Sequence, residues 1–441
     1  MPATFSEAIA RRPLGLFQIV TVAVCLLVLM CDGVDMQLLG LVAPVVIRDF
    51  GVDKGTFGIA MSAALVGMGI GAWLGGWLGD ILGRRRSLAL AALIFGLATI
   101  AASTSGSVWS MAAWRLIGGL GFGSAFSNAL AMGSEWLPKR WQPLAITSLS
   151  VGTPAGGAIA GVLAPELLAE HGWRGTFIAF GAATLVLVVI VYTALRDSPS
   201  FLLAKGKRNE ALQNARRVIR ADIELAAEHL DTGSAEGPPV GVLHSSNFRL
   251  NAGVGAGFAA STLVAYGILN WSTTILTTKG VSLQLAGYAI SVAGITSILG
   301  SILAGILVQK FGTKPVMLAV SGILAVTLVA LAAAVETMST ASSGGIALVT
   351  VLIGIAAAAF SCSIATVYVV ITLGYPQSCR SAGIGFGIFT GRIGAILASG
   401  FGGVFLEIGG GSTLPFFAIL VASAALIFAA ALVIDRHVPA A

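Results

Sequence analysis

Two carboxylates three residues apart, Asp32 and Asp35, stand inside an apolar stretch that runs from about Leu16 to Ala43. Such a stretch can cross a bilayer, which takes roughly 20 residues. An aspartate near the centre of a spanning helix costs on the order of 2.5–3.5 kcal/mol on insertion scales, so a pair of them requires a compensating use. On a helix a spacing of three puts both on one face. Both can then look into one polar cavity where a proton is held and released, with either as the titrating group.

Two arginines, Arg115 and Arg392, also fall inside apolar stretches. At 1.5 Å of rise per residue, Arg115 lies roughly 9 Å below the outer end of its stretch, and Asp32 and Asp35 roughly 16 and 12 Å below theirs. Depths that close permit an intramembrane Asp–Arg pair, either released when a proton arrives or static and holding the first and fourth helices together. Arg392 belongs to the other half of the chain and has small neighbours, Gly391, Gly394 and Ala395. Its planar fork fits a carboxylate, so it is expected to receive an organic anion; pairing with Asp32 or Asp35 is the alternative. Gln37, Asn128, Tyr266, Asn270, Trp271 and Tyr368 are expected to line the cavity, with Asn270-Trp271 offering an amide beside a flat apolar surface. Ordinary packing competes with that role for each, as does the outer aromatic belt for Trp271.

The elements that must hold these side chains follow from composition. Of 441 residues, 56% are hydrophobic and only 10% charged, with mean hydropathy +0.94; a soluble chain carries about 25% charged residues. An all-α integral membrane protein is implied, because helices satisfy their own backbone hydrogen bonds in lipid. Apolar segments recur near 16–43, 56–79, 87–104, 109–133, 143–166, 174–195, 249–278, 283–308, 315–335, 344–373, 381–406 and 413–434. That pattern predicts twelve transmembrane helices in two six-helix bundles, 1–195 and 248–441, with 196–247 as a cytoplasmic linker containing amphipathic helices. Of the 25 Lys and Arg, only Arg48, Lys54, Arg174 and Lys279 fall outside when both termini are placed in the cytoplasm, as the positive-inside rule requires. The net charge of +6 is therefore a topology signal, and nucleic acid is not needed to explain it. Residues 1–12 read as a cytoplasmic tail, not a signal peptide.

Other chemistry finds no support in the residues. Cys25, Cys31, Cys362 and Cys379 have no metal-binding spacing, and the four histidines are scattered. No HExxH, GxSxG or Walker sequence occurs, so neither an enzyme nor a metal or organic cofactor is expected, and protons are the coupling ion.

A repeat marks the two bundles. Gly76-x-Leu78-x-Asp80-x-x-Gly83-x-Arg85 recurs 229 residues later as Gly305-x-Leu307-x-Gln309-x-x-Gly312-x-Lys314, each between the second and third spans of its half. Gly76 is read as a close-packing glycine and Gly83 as a tight turn. Asp80 with Arg84, Arg85 and Arg86 is read as a cytoplasmic latch that pairs in only one of two states, with Glu135 as a partner. Gln309 in place of the acid makes the latch asymmetric.

The Asp80 loop, with its partial second copy, resembles the signature between helices two and three of the major facilitator superfamily, over essentially all of 14–434. More narrowly, Asp32-Gly33-Val34-Asp35 resembles the aromatic acid:proton symporters. That family pairs the element with an arginine and glycine-rich run in helix four, here Arg115 through Gly123 followed by Asn128 and Glu135, and with an arginine-containing stretch in helix eleven, here Arg380 through Gly394. The resemblance implies the two-fold-symmetric major facilitator fold, a functional monomer in a bacterial inner membrane, and proton-driven uptake of benzoate-type carboxylates. A non-aromatic mono- or dicarboxylate is an alternative substrate. Gly152-Thr153-Pro154-Ala155-Gly156-Gly157 partly resembles a run in drug:proton antiporters, which keeps export as a further alternative, although close helix packing explains it.

Overall fold

The computed structural model describes residues 5–10, 12–142, 145, 148–149, 151–219, 241–338, 343–375 and 379–440. Eleven helices are long and apolar enough to cross a bilayer. One of them, Gly152–Ala194, has 43 residues, about 65 Å and twice the thickness of a hydrocarbon core. It breaks at Gly172 (φ 65°, ψ 177°), a conformation that glycine adopts without a Cβ penalty, and so makes two crossings. Twelve spans result: α1 (Leu16–Phe50), α2 (Lys54–Leu82), α3 (Arg84–Ala102), α4 (Val108–Glu135), α5 (152–171), α6 (173–194), α7 (Phe248–Thr278), α8 (Leu283–Phe311), α9 (Thr313–Thr337), α10 (Ser343–Gly374), α11 (Arg380–Ile408) and α12 (Leu414–Val433). Their outward faces expose Ile70, Trp73, Val186, Val326 and Phe401. Apolar exposure on that scale is a lipid-facing surface.

The packing is two-fold. Within the first half α2 lies on α4, and in the second α8 lies on α10; between halves α2 meets α11 and α5 meets α8, with α1 against α7 at the centre. These are the same contacts with the halves exchanged. The sequence repeat is repeated in geometry too: Gly83 (φ 96°) alone joins α2 to α3, and Gly312 (φ 79°) alone joins α8 to α9. Each turn is held by the chain leaving its own bundle. Asp197 accepts the Arg85 N–H at 2.9 Å, and the Val438 carbonyl accepts the Thr313 N–H at 2.9 Å.

Ahead of α5, Gln142, Ala145, Ser148 and Leu149 are helical, and 143, 144, 146, 147 and 150 lie outside the described residues. One expectation shifts. The supposed N-terminal tail contains a helix, Phe5–Ile9, whose Phe5 is buried edge-on against Trp136 at 5.6 Å. The central stretch carries short helices at Pro199–Ala204 and Arg208–Ala215, while its residues 220–240 lie outside the described residues.

Candidate functional site

A spacing of three on a helix separates two side chains by about 60° around the axis, and that angle gives Asp32 and Asp35 different surroundings. Asp35 turns into its own bundle. One carboxylate oxygen accepts from Thr99 of α3 at 2.7 Å, the other from Arg115 Nη1 of α4, and Arg115 Nη2 also donates to the Asp35 carbonyl at 3.2 Å. Both partners are nearly inaccessible. A buried ion pair survives desolvation when its remaining lone pairs are met by hydrogen bonds, and the Thr99 hydroxyl meets one of them.

Asp32 turns toward the interface between the halves and is fully buried. Oδ2 accepts a long hydrogen bond, 3.4 Å, from Thr153 of α5; Oδ1 has no partner among the described residues. Arg392 of α11, Asp35 and Arg115 are the charges within its electrostatic reach. Arg392 is half-buried and forms no ion pair among the described residues. Tyr266 and Tyr368 stand near its guanidinium, the Tyr266 hydroxyl faces Met36 of α1 at 4.0 Å, and Tyr368 stacks edge-on against Phe258 at 4.9 Å. A carboxylate, a guanidinium without an ion pair among the described residues, and aromatic walls thus come together where α1, α7, α10 and α11 converge.

The other expected lining residues separate from this group. The Asn128 amide donates to the carbonyls of Gly75 and Ser124, both at 2.8 Å, and so clamps α4 to α2. Trp271 is buried, with its indole N–H on the Ala398 carbonyl at 3.1 Å, and belongs to the α7–α11 contact, not to an outer belt. Asn270 donates to Ser399 at 2.7 Å in that contact, and Gln37 is buried against Gly157.

The halves touch near the end that carries Asp53. There Gly58 of α2 lies against the backbone of Gly400 in α11, Gly40 against Asn270, and Gly161 and Gly294 bring α5 and α8 into backbone contact. Glu407 of α11 accepts the Gly55 N–H at 3.0 Å, so a carboxylate from one half caps a free donor at a helix N-terminus of the other. Toward the opposite end the seam opens: a Cβ on Gly76 or Gly385 would meet nothing within 4 Å, and Tyr368 is 39% exposed. Gly76 is thus not a close-packing position here.

At that open end Arg84 joins Glu135 at 3.0 Å and Asp80 at 2.6 Å, and touches the Gly76 carbonyl at 3.4 Å. Glu135 also accepts from Ser198 at 2.6 Å. Arg85 stacks on Tyr192 with 4.2 Å to the ring centroid. The pairs link α2, α3 and α4 within one half; Asp80 stays 69% exposed and makes no bond across the seam among the described residues. Gln309 is exposed at the matching place in the second half. The Arg380 side chain lies outside the described residues.

The sequence alone gives no site role to Thr99, Asp197, Ser198 or Glu407, and names Thr153 only within the Gly152–Gly157 run. Threonine and serine are common in membrane helices and mark nothing by themselves; Glu407, an acid just past the eleventh apolar segment, is the one available signal. Among the described residues no group of three His, Cys, Asp or Glu side chains could hold a metal.

The profile of the Major Facilitator Superfamily matches residues 25–386 and 254–441. A gallate transporter of Pseudomonas putida is 30% identical over 424 residues, 94% of this chain and 91% of that protein. The 4-hydroxybenzoate transporter PcaK of Acinetobacter baylyi is 28% identical over 89% of this chain and 86% of its own. Among solved structures, the partially occluded inward-open xylose transporter XylE of E. coli superposes with a TM-score of 0.67 at 20% identity, covering 95% of this chain and 97% of XylE. A bacterial homologue of the lysosomal transporter Spinster, inward-facing and occupied, gives 0.69 at 16% identity over 96% and 97%.

Proposed function

We propose, from the premise that this chain belongs to the major facilitator superfamily, that it imports an aromatic carboxylate together with protons by alternating access across a bacterial inner membrane. The observation that carries this reading is the approach of a buried Asp32, one oxygen without a partner among the described residues, to Arg392, which forms no ion pair among them and stands beside Tyr266 and Tyr368. Arg392 receives the substrate carboxylate through its fork, and the tyrosines and Met36 face the ring. The named substrates of the similar transporters, gallate and 4-hydroxybenzoate, support a hydroxylated benzoate.

Coupling follows from competition for one cation. With the cavity open to the outside, a proton on Asp32 cancels its attraction for Arg392 and leaves the guanidinium to the anion. With the cavity open to the cytoplasm, loss of that proton restores a carboxylate near Arg392, and the substrate is displaced. One proton per monovalent anion makes the cycle electroneutral against an inside-negative potential. Asp35 and Arg115 hold α1, α3 and α4 as a unit, and Asp32 titrates. The Asp80–Arg84–Glu135 cluster is the inner latch, with the Asp80 end cytoplasmic along with both termini. Residues 1–195 and 248–441 move as the two bodies, joined by 196–247. The unit of transport is a monomer in lipid, with no bond-making chemistry and no cofactor besides the proton.

The test is uptake into proteoliposomes of benzoate, 4-hydroxybenzoate, gallate, lactate and succinate, with and without an inward proton gradient. Gradient-dependent accumulation of a hydroxybenzoate is expected. Accumulation of lactate or succinate alone would remove the aromatic assignment, and gradient-driven efflux would replace import with export.

A further inference from the structure

Most threonines in the described spanning helices spend their hydroxyl on the carbonyl four residues back, as Thr21, Thr176, Thr184 and Thr262 do. Thr153 does otherwise. It is the second residue of α5, and its hydroxyl reaches across to Asp32. The position is held tightly. A Cβ on Gly33 would strike the Thr153 backbone, and one on Gly156 would strike the Met30 carbonyl, so α1 and α5 are in backbone contact on both sides of the bond. The other face of the same turn belongs to the interface with the second bundle. A Cβ on Gly294 of α8 would lie 2.7 Å from the Pro154 carbonyl and 2.8 Å from the Ala158 Cβ, and Ser291 of α8 donates to the Ala158 carbonyl at 2.8 Å.

We infer that Thr153 is a positioning residue that carries the protonation state of Asp32 from α1 into the α5–α8 seam. The inference rests on the reading of Asp32 as the proton site. An ionised Asp32 accepts the Thr153 hydrogen bond and holds the first turn of α5 against α1. A proton on the unpartnered Oδ1 leaves Oδ2 as a neutral acceptor, so the Thr153 hydrogen bond falls from charge-assisted to neutral and holds the turn that abuts Gly294 less firmly. The groups facing Asp32 from the surrounding elements are Asp35 and Cys31 on α1, Arg115 on α4, Tyr266 on α7 and Arg392 on α11. None of these sits on α5 or α8, which leaves Thr153 as the described polar link from Asp32 to that seam.

The test compares Thr153→Val, which keeps shape and removes the hydroxyl, with Thr153→Ser, which keeps the hydroxyl, in proteoliposomes. Proton-gradient-driven accumulation of 4-hydroxybenzoate and substrate exchange without a gradient are measured from pH 5 to 8 against the unaltered protein. Loss of a hydrogen bond to a charged group predicts that Thr153→Val accumulates about tenfold less. Exchange should stay within about twofold, and half-maximal uptake should move to higher pH, because the ionised carboxylate has lost its donor among the described residues. Thr153→Ser should restore both. Accumulation and pH profile unchanged in Thr153→Val would overturn the inference and leave the Asp32 reading standing. Equal loss in both variants would also overturn it, by pointing to packing. No proton dependence in the unaltered protein would instead remove the coupling reading, and the inference with it.

Discussion

The Arg115 guanidinium binds Asp35 twice, through the carboxylate and through its backbone carbonyl, while Asp32, less than one turn away, has no arginine partner among the described residues. Equal charges so close together thereby acquire unequal work. Asp35→Asn strands a buried guanidinium and should cost about 3–5 kcal/mol of stability, the usual penalty for breaking a buried pair. Asp32→Asn removes a carboxylate that makes one long hydrogen bond, and should fold normally and exchange substrate but not concentrate it. Thermal unfolding in detergent together with gradient-driven uptake checks both. A stable Asp35→Asn protein would mean that the pair is not structural, and gradient-driven accumulation by Asp32→Asn would move the proton elsewhere.

Arg392 is the cation in this region without an ion pair among the described residues. Arg392→Ala should weaken binding of a benzoate on the order of 10- to 100-fold, the worth of a charge-assisted pair. Arg392→Lys keeps the charge but not the fork and should fall between. Calorimetric titration with 4-hydroxybenzoate decides: the same loss in both variants means that the fork matters more than the charge, and no loss in either places the anion elsewhere.

At the open end, Arg84 bridges an exposed Asp80 and a more buried Glu135, which also takes the Ser198 hydroxyl. An exposed pair contributes about 0–1 kcal/mol, so Asp80→Asn should leave the melting temperature nearly unchanged while slowing turnover. Glu135→Gln gives up the partner of both Arg84 and Ser198 and should lower the melting temperature as well. Stability and initial rate measured together distinguish them; a large stability loss in Asp80→Asn would make it a structural residue.

Much of this was legible in the sequence because it depends on local chemistry. Segment length and hydropathy give the spans, and the glycine repeat gives the matched turns at Gly83 and Gly312. Carboxylates and guanidiniums in apolar helices announce themselves by their cost. What could not be read is angular. Which aspartate faces Arg115 and which faces Arg392 depends on the rotation of α1, set by Gly33 and Gly156 letting α5 come close. Asn128 and Trp271 were expected in the cavity because they are polar or aromatic; they serve helix contacts because their amide and indole found carbonyls on neighbouring helices. The break at Gly172 lies between two apolar segments, but a left-handed glycine and a helical one are the same letter.

The chain after α12 docks through His437, whose Nε2 donates to the Ala431 carbonyl at 2.8 Å and whose Nδ1 accepts from Thr313 at 3.0 Å. Partial burial pushes this imidazole below its usual 6.5, against the pull of the Ala431 carbonyl. A base with a depressed folded pKa binds its proton more readily when undocked. The contribution to docking is therefore fully present above about pH 6.5 and lost as the pH falls through the lower folded value. Hydrogen exchange of 435–440 should accelerate on acidification in the unaltered protein and be independent of pH, after correction for intrinsic rates, in His437→Gln. A matching acceleration in both would assign the effect to other groups.

Gly58 and Gly400 bring α2 and α11 into backbone contact at the closed end, with Glu407 on the Gly55 N–H beside them. Any side chain at Gly58 needs space that the Gly400 carbonyl occupies, so Gly58→Leu forbids this closure without touching Asp32 or Arg392. With the Asp80 end cytoplasmic, as proposed, the state described here then becomes rare, leaving a protein that binds substrate from outside but does not release it inside. Net uptake should fall by more than about tenfold, since an overpacked contact costs about 1–3 kcal/mol. Binding of 4-hydroxybenzoate should persist, and Gly58→Ala should show a smaller loss. Labelling of cysteines placed at Gly76 and Gly385 gives an independent readout, because both are open here and should become protected in Gly58→Leu. Unimpaired uptake, or unchanged labelling, would mean that the α2–α11 contact is not the outer seal.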